Sequence, residues 1–141
     1  MDEREPTAEQ REIDALLARY ERELEYFVLT RDRLLPLMRQ LLDALREWAR
    51  SGEDAAGRAA MLRREYVTEL NTLGGQIDDW VRIRGSGLRV SSLAVGMSDE
   101  QIERFSALQS REVAEAVGRE EFDAAQAELR ELLLIFEEFA G

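Results

Sequence analysis

The chain contains no cysteine, no histidine and no lysine, so all 19 of its basic residues are arginine. Without thiols there is neither disulfide nor thiolate nucleophile, and without imidazole there is no histidine general base. Together the two absences remove nearly all zinc, copper and haem ligation. The absence of lysine excludes a Schiff-base amine and a phosphate-loop lysine. Long apolar runs are missing as well: none approaches the roughly 20 residues that cross a bilayer. The opening stretch MDEREPTAEQ is acidic where a secretory leader needs positive charge. A net charge of −11 repels phosphate backbones and anionic lipid surfaces. The expectation is a cytoplasmic protein that binds neither nucleic acid nor membrane and holds no cofactor.

Apolar types make up 45% of the 141 residues and charged types 35%. That is too much Leu, Val, Ile and aromatic content for a disordered chain, and a length that suits one domain, residues 1–141. The charge is uneven: residues 1–30 carry a net −5, residues 31–90 a net +2 and residues 91–141 a net −8. Such alternation suits helices that fold back on one another or pair between chains.

From Thr7 to Arg50 the apolar period is helical. Spacings of four and three run through Ile13, Leu17, Tyr20, Leu24, Phe27, Arg31, Leu34, Met38, Leu41, Leu45 and Trp48, and ten of these eleven positions are apolar. A neighbouring row, Val28, Leu35, Leu42 and Ala49, widens the stripe beyond a two-stranded seam, so at least two other helices are expected to cover it. A straight helix over this span is a rod of about 66 Å. Pro36 removes the bond to the Asp32 carbonyl and predicts a kink or break near residues 31–36, beside the one charged seam residue, Arg31. A turn at residues 51–57 follows, with Asp54 as a candidate cap, and then a second helix over 55–83. Its stripe is Tyr66, Leu70, Leu73, Ile77 and Trp80, interrupted by Gly74 and Gly75. Tyr20, Trp48, Tyr66 and Trp80 read as core residues with one polar edge. Ser98 and Gln101 form a capping-box pattern that opens a last helical region over 99–140, in which Gly118 offers a turn or bend.

Residues 85–97 break the pattern. Leu88, Val90, Leu93 and Val95 are apolar between Gly85 and Gly96, and the alternation at 88–90 resembles an extended segment. These four are the candidate partner-binding residues, either laid over the bundle or docked on another protein.

With His, Cys and Lys absent, catalysis would rest on carboxylates and Mg²⁺. Glu112 and Glu115 lie one turn apart, and so do Glu128 and Glu131; a hairpin at Gly118 would bring the two pairs face to face. This E-x-x-E and E-x-x-E arrangement resembles the MazG-like all-α nucleotide pyrophosphohydrolases, whose second pair ends in Asp where this chain has Glu131. The resemblance is confined to this one segment and implies Glu112, Glu115, Glu128 and Glu131 as Mg²⁺ ligands. Against it, 21 glutamates on helices generate the same spacing elsewhere, as at Glu9/Glu12 and Glu100/Glu103.

The residues therefore predict an all-α, elongated bundle of three to four long helices with coiled-coil-like packing. The leading function is a non-catalytic protein–protein interaction module, an adaptor, chaperone-like or regulatory protein that also self-associates as a homo-oligomer. The alternatives are the Mg²⁺-dependent phosphohydrolase and a structural subunit of a larger assembly.

Overall fold

The structure, a computed structural model, describes Glu5, residues 7–73 and residues 80–140. Among these residues there are four α-helices, one 3₁₀ turn and no strand: α1 (Ala8–Ser51), α2 (Glu53–Thr72), α3 (Trp80–Ser92), the turn Ala94–Gly96, and α4 (Asp99–Ala140). The all-α fold of long packed helices is thus the one expected from the sequence. Contacts divide the chain into two compact units, one built from Met1–Val28 with Asp78–Ala116 and the other from Leu29–Ile77 with Val117–Gly141.

In the first unit, α1 and α4 start alike. Thr7 Oγ1 accepts from the Gln10 amide at 3.0 Å while Gln10 returns its carbonyl oxygen to the Thr7 amide at 3.1 Å. Ser98 and Gln101 repeat this capping box at 3.2 and 3.0 Å, as their spacing predicts. Gln101 then donates its side-chain amide to the Gln10 carbonyl at 2.7 Å and to Asp14 at 2.8 Å, which fastens the two helix starts together. Further along, Arg104 meets Glu21 and Arg111 meets Glu25, so α1 and α4 run parallel. The return helix α3 lies antiparallel: Trp80 stands edge-on to Phe27 at 5.1 Å and Ser86 donates to Glu23 at 2.9 Å. The core between them holds Ile13, Leu17, Tyr20, Leu24, Phe27, Ile83, Val90, Phe105 and Leu108.

The second unit repeats the arrangement with α2 as the return helix. Gly52 at φ 78° turns the chain from α1 into α2, a left-handed conformation that glycine adopts without a Cβ penalty. The expected cap Asp54 falls inside α2 instead of at its start. The core holds Leu34, Met38, Leu41, Leu45, Leu62, Tyr66, Phe122, Leu129 and Phe136, with Trp48 edge-on to Phe136 at 5.1 Å. Arg39–Glu121, Arg46–Glu128 and Arg63–Glu137 tie the helices along their solvent edges. All ten apolar positions of the α1 seam are covered within the chain, nine of them buried and Trp48 packed against the core.

Three expectations are corrected. First, of the kink or break expected at Pro36, the break does not occur: α1 is one helix from Ala8 to Ser51 with Pro36 inside it. A helix-interior proline costs about 3 kcal/mol, whereas burying Leu34, Leu35 and Met38 around it returns about 1.5–3 kcal/mol for each side chain. Second, residues 85–92 are not irregular: they are the second half of α3, and of the helix predicted over 55–83 the described residues give α2 as far as Thr72 and α3 from Trp80. The 88–90 alternation misleads because two positions on a helix are about 200° apart. Leu88 therefore faces solvent at 72% exposure while Val90 is fully buried. Third, α4 is one continuous helix through Gly118. Gly118 is a niche and not a turn: a Cβ there would collide with the Arg31 guanidinium, which lies across it. Gly74, Gly75 and Ile77 lie outside the described residues.

Candidate interaction surface

A groove of about 230 Å³ opens between α3 and α4 of the first unit, lined by Tyr20, Arg84, Gly87, Leu88, Ser91, Gln109, Glu112 and Val113. Its floor comes from α1. The Tyr20 ring is fully buried, and its hydroxyl donates to the Glu112 carboxylate. Burial first, and the Glu112 hydrogen bond second, hold the Tyr20 phenol well above its ordinary range. α3 approaches this ring with Gly87, where a Cβ would stand 3.3 Å from both Cζ and the hydroxyl oxygen. The glycine, a residue that costs about 1 kcal/mol in a helix, thus lets the tyrosine sit close; a Cβ there would need it to give by a few tenths of an ångström. The seam spacing marks Tyr20 as core, but its polar contact is 92 residues distant in sequence, and no local pattern announces it.

Two aliphatic side chains stand on the groove's rims. Leu88 projects from α3 and Val113 from α4, the latter 74% exposed. The four candidate partner-binding residues divide accordingly. Leu88 and Val95 are exposed, Val90 is in the first unit's core and Leu93 packs partly buried against that core. The four do not form one extended strand: Leu88 and Val90 lie in α3, and Leu93 and Val95 belong to the start and middle of the 3₁₀ turn that follows. Val113 carries the same outward aliphatic character.

The four carboxylates of the metal reading are not brought together. The Gly118 hairpin that would face them is absent, and on one continuous helix Glu115 and Glu128 stand about 20 Å apart along the axis. Glu112 accepts from Tyr20, and Glu128 receives Arg46 at 2.6 and 2.8 Å. Among the described residues no group of three acidic side chains converges as a metal site. No helix among them is long and apolar enough to cross a membrane. Compared with protein-family models, with curated proteins and with solved structures, the chain matches none of them.

Proposed function

We propose that this protein is a non-catalytic interaction module, a cytosolic adaptor or regulatory protein that binds another protein through the outer surface of α3 and α4 in its first unit. The observation that carries the reading is the pair Leu88 and Val113, aliphatic side chains 72% and 74% exposed on the two rims of one groove. Fully exposed single apolar residues are ordinary on any surface, but neighbours that rim a common concavity mark a contact site. The sequence supports the same reading, since it lacks every side chain that commonly serves as nucleophile or general base other than carboxylate, Tyr, Ser and Thr. Self-association through the α1 seam loses its motive because α2, α3 and α4 already cover that seam. What remains uncovered lies elsewhere.

The test is co-purification from the native host with the full chain and with Leu88→Asp/Val113→Asp, both checked for unchanged helical circular dichroism. The expected result is one or more proteins retained by the wild type in stoichiometric amount and lost with the double variant. Retention of the same proteins by the variant, or hydrolysis of nucleoside triphosphates by purified wild type that Glu112→Gln/Glu128→Gln abolishes, would overturn the reading.

A further inference from the structure

The outward face of α3 has a defined chemistry. Val81 and Leu88 lie two turns apart on it, 80% and 72% exposed, and Val95 on the following 3₁₀ turn is fully exposed. Arg84 stands to one side of this aliphatic ridge and Arg89 to the other, given the 100° step per helical residue. Neither arginine has an ion-pair partner among the described residues. α3 carries Arg82, Arg84 and Arg89 and no acidic residue at all, in a chain whose net charge is −11.

Gly85 completes the picture. Its missing Cβ has no reason inside the molecule, because nothing lies within 4 Å of where that atom would be. Gly87, by contrast, lets Tyr20 sit close. Val81, Arg84, Gly85 and Leu88 are i, i+3, i+4 and i+7, the four positions that wall the hole into which a side chain of a facing helix inserts. Gly85 makes that hole deep.

We infer that the outer ridge of α3 docks an acidic amphipathic helix of another protein, whose apolar side chains enter between Val81 and Leu88 and whose flanking carboxylates meet Arg84 and Arg89. This inference rests on the interaction-module reading above and narrows it to one helix and one class of partner. Charge selects the occupant. A second copy presenting its own α3 would set Arg84 and Arg89 against the same arginines, and like charges at such flanking positions disfavour the pairing. Long-range repulsion from the remaining acidic surface is screened beyond about 8 Å at physiological ionic strength. The local guanidinium contacts are then what an approaching helix meets.

The experiment uses two synthetic amphipathic peptides with leucine at the core positions, one with glutamate and one with lysine at the flanking positions. Binding to the intact protein is followed by fluorescence anisotropy at 0.15 M salt, where the Debye length is about 8 Å. The glutamate peptide is expected to bind at least about tenfold tighter than the lysine peptide, a margin of about 1.4 kcal/mol. Arg84→Glu/Arg89→Glu should invert that order. Leu88→Asp should abolish binding of both peptides with helical content unchanged, and Met61→Asp, at an exposed position of α2 in the second unit, should leave it intact. Equal binding of the two peptides, preference for the lysine peptide, or indifference to Leu88→Asp would overturn the inference. So would light scattering that shows a dimer converted to monomer by Leu88→Asp, since the occupant would then be a second copy. If host proteins are lost with Val113→Asp alone and retained by Leu88→Asp, the interaction module stands and the α3 ridge falls. If neither host proteins nor peptides bind, both fall.

Discussion

The Tyr20 hydroxyl on α1 donates to the Glu112 carboxylate on α4 beneath the groove between α3 and α4. A phenol held this way stays protonated: burial and the carboxylate it serves both raise its pKa above the ordinary value of 10.0. Tyr66 in the second unit is raised as well, by burial, against a lowering influence from Arg130. Groups whose folded pKa exceeds the unfolded one contribute stability that is complete below about pH 10 and is lost as pH rises through the folded value. Because the chain has no lysine, and its arginines stay charged, tyrosine governs that alkaline loss. Urea midpoints should therefore hold level to about pH 10 and fall above it. Tyr20→Phe should lower stability at pH 7 by about 1–2 kcal/mol through the lost bond to a charged acceptor, and should shrink the alkaline fall. An unchanged alkaline transition in Tyr20→Phe would refute the assignment.

Gly118 and Arg31 make a second pair whose coupling is measurable. Replacing a helix-interior glycine with alanine ordinarily gains about 1 kcal/mol, but here the new methyl meets the guanidinium that lies over it. The obstructing atoms belong to the far end of a flexible side chain, so the clash is relieved by moving Arg31 from its place. Gly118→Ala alone should gain less than the helical preference predicts, and Gly118→Ala in an Arg31→Met background should gain the full amount. A double-mutant cycle by urea denaturation gives the difference, and strict additivity of the two substitutions would show that the niche is not used.

Thr30 is fully buried in α1, and its hydroxyl has no hydrogen-bond partner among the described residues. Threonine inside a helix usually bonds the carbonyl one turn earlier; here that contact is not made. A buried unsatisfied hydroxyl costs about 1–3 kcal/mol, and valine has nearly the same shape and the same β-branched helix preference. Thr30→Val should raise stability by about 1 kcal/mol, seen as a higher urea midpoint with unchanged slope. A fall in midpoint would mean the hydroxyl is satisfied in solution.

The helical class, the α1 seam and the Ser98–Gln101 cap were legible because each is written in residues within one or two turns of each other. What escaped was set by partners far away in sequence. Pro36 reads as a breaker until Leu34 and Met38 beside it are seen in one core with Leu62, Tyr66 and Phe122, and Gly118 reads as a turn until Arg31 is seen to occupy its space. Gly85 and Gly87 made α3 look irregular, although one makes room for a tyrosine and the other faces open solvent. Of the candidate site, Leu88 was found for the wrong reason. The alternation that singled out Leu88 and Val90 together is, on a helix, what separates them onto opposite faces.

Arg46 and Glu128 bear on the discarded metal reading. The two make paired contacts at 2.8 and 2.6 Å, and Glu128 has its pKa lowered chiefly by this hydrogen bond, with burial opposing it and the guanidinium charge adding a smaller lowering. A lowered carboxylate contributes stability that is present above the ordinary value of 4.5 and is lost as pH falls through the folded pKa. Both side chains are more than two-fifths exposed, so solvent screening limits the pair to at most about 1 kcal/mol. Glu128→Gln should accordingly lower the melting temperature slightly at pH 7, and the gap from wild type should close in 1 M NaCl, where the Debye length is about 3 Å, and again below pH 4.5. Added Mg²⁺ should leave wild type and variant equally unmoved, since a carboxylate committed to arginine is a poor ligand and its supposed companions stand along one helix. A wild-type melting temperature that rises with Mg²⁺, and does so no longer in Glu128→Gln, would restore the carboxylates to a metal and overturn the ion-pair account.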